Sequence, residues 1–171
     1  ERIVGVDLLG PIALTQAVLP RMVEAGGGRI VAIASVAGIA GVPLRTAYCA
    51  AKHGLIGYHD AVRAETEHLG IRVHVIAPGS IRTNVSRNAL QGDGSRRGAS
   101  DSAIDNGLPV PEAAAAILAA VEAGKRELVL ASGMELEVAL LRRKDPDALY
   151  DRMTAMMRDG YAQRIADDAR R

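Results

Sequence analysis

Three short apolar runs, separated by long helical patterns, constrain this chain more than any other feature. RIVAIAS (29–35) opens into a glycine-containing loop, IRVHVIAPG (71–79) is rich in β-branched residues and stops at Pro78, and RELVLAS occupies 126–132. Runs of this length, bounded in this way, read as strands of a buried sheet. Residues 1–25 place Ile3, Val6, Leu9, Ala13, Ala17 and Leu19 at roughly helical spacing, and the glycines of AGGGR end the run. Residues 46–70 form a second long helical pattern closed by Gly70, and 111–123 a third, opened by Pro111 and Glu112. From 135 the tail is charged and helical, broken in two by Pro146. Strands that alternate with helices give a parallel sheet with helical crossovers, so the predicted fold is α/β.

Composition narrows the classes of function. With 171 residues, 49% of them hydrophobic, the chain suits one domain over 1–171. A net charge of +1 gives no electrostatic case for nucleic acid or an anionic membrane as partner. The single cysteine, Cys49, rules out an intrachain disulfide framework and fits a reducing compartment, so a cytoplasmic location is expected. No apolar run is read as approaching the roughly 20 residues that span a bilayer, and no membrane segment is expected. The opening ERIVGVDLLG starts inside a helical pattern without a Met, which leads to the expectation that a natural N-terminal part precedes it.

Ligands of such sheets bind beyond the carboxyl ends of the strands. Ser35 and APGSIRT (77–83) fall there. Ser35 precedes Tyr48 by thirteen positions and Tyr48 precedes Lys52 by four, so the last two share a helix face. A phenol is a poor base at neutral pH, and an adjacent ammonium makes it a better one. A serine hydroxyl at a strand end can hold the same substrate oxygen. Taken alone, a Tyr–Lys pair is usually a surface contact; Ser35 and the Pro-Gly turn together favour the catalytic reading. His53, His59, His68 and His74 do not cluster at ligand spacing, so no metal site is expected and all four read as helix-surface residues. Cys49 lies on a different helix face from Tyr48 and is expected to be packed.

The run GGGRIVAIASVAGIAGVPLRTAYCAAKHGLIGYHDAVRAETEHLGIRVHVIAPGSIRT resembles the second half of a classical short-chain dehydrogenase/reductase. It carries that family's Ser, Tyr-x-x-x-Lys and Pro-Gly-x-x-x-Thr in order and at family spacing, and the resemblance covers about residues 1–131. VLPRM, YCAAKHGL and TNVSRNAL are most similar to the branch around dehydrogenase/reductase member seven. The resemblance implies a Rossmann-like doubly wound parallel sheet whose glycine-rich N-terminal portion is missing. It also implies NAD or NADP as cofactor, with hydride transfer to or from a carbonyl or alcohol carbon of a small molecule. Tyr48 is then the acid/base, Lys52 holds the nicotinamide ribose, and Ser35 orients the substrate oxygen. Pro78, Gly79, Ile81 and Thr83 line the nicotinamide together with Tyr48 and Lys52. Residues 1–83 would be the catalytic core, 84–108 the substrate lid, with GDGSRRGASDS its mobile part, and 109–171 the last helix, last strand and tail. The family's helices corresponding to 1–25 and 46–69 pair across a two-fold axis, which implies a homodimer or homotetramer; Leu8, Leu14, Ile56 and Val62 are the apolar residues expected there.

Two departures stand out. Asp7 occupies a position where the family has an Asn whose backbone carbonyl, through a water, relays protons to the lysine. Pro11, four residues on, has no N–H, so the Asp7 carbonyl lacks its normal helical donor and a relay can survive the change of side chain; a simple bend in the helix is an equal reading. The family's glycine-rich pyrophosphate turn is nowhere in the sequence, and GGGR (26–29) precedes a strand instead of following one. Residues 1–171 alone are therefore expected neither to bind NAD(P) nor to reduce carbonyls, and the strand at 29–35 is expected to show a bare apolar edge. A non-catalytic nucleotide-binding or scaffold protein, an inactive fragment and a sugar-nucleotide epimerase are the rival readings.

Overall fold

The structure, a computed structural model, describes residues 1–90 and 94–168. Positions 91–93 of the expected lid lie outside the described residues. Helix α1 runs over Arg2–Glu24 and loosens into a π turn at Gly5–Leu9, where Gly10 N–H reaches back five residues to the Gly5 carbonyl. The cause is Pro11, whose ring crowds the carbonyl of Asp7 one turn earlier and which has no N–H to close the usual bond. α1 is long and apolar enough to cross a membrane by length and composition, which corrects the reading that no apolar stretch approaches that length. One side of it is nevertheless packed: Leu8, Leu19 and Met22 meet the sheet and the next helix.

β1 (Gly28–Ile33), β2 (Ile71–Pro78) and β3 (Glu127–Leu130) form a parallel sheet in the order β1-β2-β3. Gly28 pairs with Ile71 through to Ile33 with Ile76, and Val75 with Glu127 through to Pro78 with Leu130. Helix α2 (Thr46–Thr66) crosses from β1 to β2, continues as a 3-10 turn and stops at Gly70, whose left-handed φ of 82° suits glycine. Short α3 (Val85–Asn88) and α4 (Ser102–Asp105) follow β2, then α5 (Val110–Glu122) leads to β3. The expected strands and helices are all present, with ends displaced by at most four residues. The tail differs more: among the described residues it is three helices, α6 (Gly133–Lys144), α7 (Pro146–Arg158) and α8 (Tyr161–Asp168), because Gly160 at φ 87° adds a second break after Pro146.

The apolar side chains explain why these elements assemble. Ala32, Ala34 and Val75 of the sheet segment meet Leu55 of α2, with Leu8 and Ile56 packed against them. Nearer the start of the strands, Val62, Ile71 and Val73 form a second cluster with Leu19, Met22, Ile30 and Tyr58. A third, of Ala40, Val138 and Leu149, docks the tail on the loop after β1. Burying side chains such as Leu55 or Ile71 contributes roughly 1.5–3 kcal/mol each. β1 is the edge of the described sheet, and Val31 and Ile33, on one face of that strand, are 39% and 47% exposed. Of the four residues expected at a subunit contact, only Leu14 is exposed; Leu8 and Ile56 face the core and Val62 is buried, while Val6 and Leu9 join Leu14 on the outer face of α1.

Two of the four histidines also correct the expectation of a helix surface. His74 is buried on β2 with Nδ1 2.6 Å from the Lys125 carbonyl oxygen, and His59 is buried in α2. His59 sits between Thr15 Oγ1 at 3.3 Å and the Leu55 carbonyl oxygen at 2.9 Å, so two local oxygens make a buried imidazole tolerable. Burial is the main cause that holds the His59 pKa below its ordinary value of 6.5. Because the folded state resists protonation, this contribution to stability is complete above about pH 6.5 and is lost as pH falls towards the lower folded value. Chemical denaturation should therefore show a loss of stability on acidification from pH 7 that is reduced in His59→Gln; an equally steep loss in that variant would contradict the assignment.

Candidate active site

β1 and β2 end side by side, and the chain leaves each in a way that its residues dictate. Ser35 follows β1 in extended conformation, and its Oγ accepts from Ala37 N–H at 3.1 Å, which starts a tight 3-10 turn over Val36–Gly38. The same hydroxyl donates to the Pro78 carbonyl at 3.4 Å, at the end of β2. The turn lies directly on α2: a Cβ on Gly38 would stand 2.6 Å from the Lys52 carbonyl oxygen, so only glycine permits this approach. Ser35 is thereby fixed beside the helix that carries Tyr48 and Lys52.

Lys52 is buried, which an ammonium tolerates only when it is partnered. Its Nζ donates to the Ile33 carbonyl at 3.2 Å and lies 3.3 Å from Asp7 Oδ1. It also stands 5.6 Å from the centroid of the Tyr48 ring, within cation–π range. α1, β1 and α2 thus each send one group to a single ammonium. The role of Asp7 expected from the sequence was that of a backbone carbonyl; the geometry adds a direct carboxylate contact with Lys52. An ammonium has three protons, and these two oxygens occupy two of them.

The approach to Tyr48 is unusual in backbone and side chain alike. Leu44, four residues upstream, has φ 64°, a left-handed conformation uncommon for a bulky residue, of the kind that clusters near functional sites. Cys49 is buried, with Val42 N–H donating to its Sγ at 3.2 Å, as expected of a packed thiol. Arg45, just ahead of α2, binds buried Asp101 at 3.0 Å, and Arg97 reaches the same Oδ2 at 3.5 Å. No sequence signal had marked this carboxylate. It ties the segment after β2 to the start of the Tyr48 helix, and Ser102 Oγ adds a 2.9 Å bond to Asp168 in α8. Arg97, Asp101 and Ser102, in the second half of 84–108, are thus tied to one another, to α2 and to the tail.

Of the residues expected to line a nicotinamide, Pro78 and Gly79 lie beside Ser35, with Gly79 N–H donating to the Leu130 carbonyl at 3.0 Å. Ile81 pairs with Leu108. Thr83 stands at the far, exposed end of the turn, where its Oγ1 accepts from Val85 N–H at 3.3 Å. Chemically, a hydroxyl at the end of β1 and a paired ammonium beside a phenol ring are groups that can move a proton at a substrate oxygen.

The sequence pattern described as short chain dehydrogenase matches residues 1–94. Dehydrogenase/reductase SDR family member 7B of Danio rerio is 43% identical over 155 residues, which cover 91% of this chain and 50% of the relative. The protein of that name from Bos taurus is 39% identical over 92% of this chain and 49% of its own. This chain thus spans about half the length of the curated relatives it matches. Among solved structures, a short chain dehydrogenase from Burkholderia cenocepacia J2315, in complex with NADP, superposes with a TM-score of 0.72 at 27% identity, over 88% of this chain and 56% of that one. A short-chain dehydrogenase from Streptomyces avermitilis gives 0.65 at 25% identity, over 92% and 60%. A Rossmann-type parallel sheet with Ser35, Tyr48 and Lys52 at its strand ends, and a sequence pattern matched over more than half its length, make this chain a member of the short-chain dehydrogenase family.

Proposed function

We propose that this chain carries the catalytic half of an NAD(P)-dependent oxidoreductase that moves a hydride between nicotinamide and a carbonyl or alcohol carbon of a small molecule. The observation that supports this reading most is the Lys52 ammonium, buried between Asp7 and the Ile33 carbonyl and directed at the Tyr48 ring. The residues present fit the nicotinamide–ribose end of such a cofactor: the third Lys52 proton suits a ribose hydroxyl, and the turn Pro78, Gly79, Ile81 and Thr83 flanks the same edge. A bound nicotinamide supplies or accepts the hydride, and the sequence offers no basis for choosing NAD or NADP. Tyr48 gives its phenolic proton to the substrate oxygen during reduction and takes it back during oxidation. Lys52 offsets the negative charge that grows on the phenol as that proton leaves. Ser35 turns its single hydroxyl proton from the Pro78 carbonyl to the substrate oxygen, and the described residues of 84–108 cover the substrate. We place the protein in the cytoplasm, on the strength of its single, buried thiol Cys49.

Tyr48→Phe keeps the ring but removes the transferable proton, so turnover in a complete enzyme should fall by ~10²–10⁴ with little change in dinucleotide affinity. Near-full turnover would remove Tyr48 from the role. The Asp7 carbonyl, deprived of a donor by Pro11, is the proposed relay point. Asp7→Asn should therefore leave the rate within a few fold, because an amide oxygen still accepts from Lys52, whereas Pro11→Ala should lower it. An unaffected Pro11→Ala enzyme would contradict the relay.

The outer face of α1, where Val6, Leu9 and Leu14 are exposed, is proposed as the contact of a symmetric dimer or a tetramer built from such dimers. Light scattering at micromolar concentration should give at least twice the protomer mass, reduced by Leu14→Glu. A monomer alone would overturn it.

A further inference from the structure

The turn that follows β2 is held by a residue with no assigned role. Glu135 lies in the first turn of α6, and its carboxylate forks onto Ser80: Ser80 N–H donates to Oε2 at 2.8 Å and Ser80 Oγ to Oε1 at 2.7 Å. The chain reaches this geometry by a sharp reversal. β3 ends at Leu130, Gly133 takes φ 53°, and α6 starts back over the strand end with an acid in its first turn, where the helix dipole favours one. Gly79 completes the fit, since a Cβ there would run into the Glu135 carboxylate and the Ala131 side chain. The other side of the turn is tied as well: Leu108 N–H donates to the Ser80 carbonyl at 2.9 Å, and Arg82 N–H to the Leu108 carbonyl at 3.0 Å.

We propose that Glu135 is a positioning residue that fixes the Pro78–Thr83 turn in the shape that receives the nicotinamide, and that it acts through Ser80. The proposal rests on the oxidoreductase reading above. The two hydrogen bonds join residues 55 apart in sequence, and they are charge-assisted, the stronger class. Beyond Ser80 the turn runs back through Gly79 to Pro78, whose carbonyl takes the Ser35 hydroxyl. Glu135 therefore stabilises both the lining of the cofactor edge and the carbonyl on which Ser35 is oriented. Without it, Ser80 N–H loses its acceptor and the turn is left with its ties to Ser35, Leu108 and Leu130.

The test has two arms. In this chain, hydrogen exchange followed by mass spectrometry over residues 78–84 should speed up about tenfold or more in Glu135→Ala and less in Ser80→Ala, as the loss of two and of one hydrogen bond implies. Glu135→Gln should stay near the parent, because its amide oxygen accepts the Ser80 N–H and its amide nitrogen donates to Ser80 Oγ. In the chain joined to the glycine-rich half of a family member, Glu135→Ala should raise the Kd for NADH and NADPH about tenfold and lower kcat. The KM for the carbonyl substrate should change little, and Glu135→Gln should restore both cofactor affinity and kcat. Unchanged exchange over 78–84 in Glu135→Ala, or an unchanged Kd alongside faster exchange, would overturn the proposal. A joined parent protein that binds neither dinucleotide would instead refute the oxidoreductase reading, and the exchange arm would still decide whether Glu135 fixes the turn.

Discussion

Everything at the strand ends is arranged around the buried ammonium of Lys52. Desolvating a charge of this kind is costly unless it is paired, and the fold meets that demand from three elements at once: Asp7 from the π turn of α1, the Ile33 carbonyl from β1, and the Tyr48 ring from its own helix. The requirement reaches into the backbone. The π turn is where Asp7 sits, Gly38 lacks a side chain so that the Ser35 turn can lie on the Lys52 carbonyl, and β1 runs far enough to present Ile33. The groups that would do chemistry are thus also the groups that solve a burial problem.

A second layer holds the turn after β2. Ser35 binds Pro78, Glu135 binds Ser80, and Leu108 pairs with Ile81, so the turn is fastened from the loop after β1, from α6 and from the segment that precedes α5. Asp101 extends the bracing to the start of the Tyr48 helix through Arg45. A carboxylate that is nearly inaccessible yet bound to two arginines and to Ala103 N–H acts as a joint between segments, since the buried charge holds its partners together.

Local signals made much of this legible in the sequence. Apolar runs and glycine stops located β1, β2, β3, α1, α2 and α5 to within a few residues, and the spacing of Ser35, Tyr48 and Lys52 located the candidate site. What escaped depends on distance in the chain. Nothing in GMELE announces that Glu135 will reach Ser80, or in GASDS that Asp101 will be buried, because both are partnered across more than fifty positions. His59 and His74 read as surface residues for the same reason: Thr15 partners the buried His59 and the Lys125 carbonyl one nitrogen of His74, whose Nε2 has no partner among the described residues, and no local pattern reveals either contact. The second break in the tail, at Gly160 with φ 87°, had a local signal in the glycine itself that the reading of the tail from 135 leaves out.

The central claim is that these strand ends support hydride transfer with protonation at a substrate oxygen. Its most direct test follows the hydride itself. The chain, joined to a glycine-rich half from its family, is supplied with nicotinamide deuterated at C4 and a panel of aldehydes and ketones, and the alcohols formed are analysed by mass spectrometry and deuterium NMR. The account predicts one deuterium, bound to the carbinol carbon of the product and delivered from one face of the nicotinamide. Alcohol formed without the label, or no reduction despite dinucleotide binding, would contradict it.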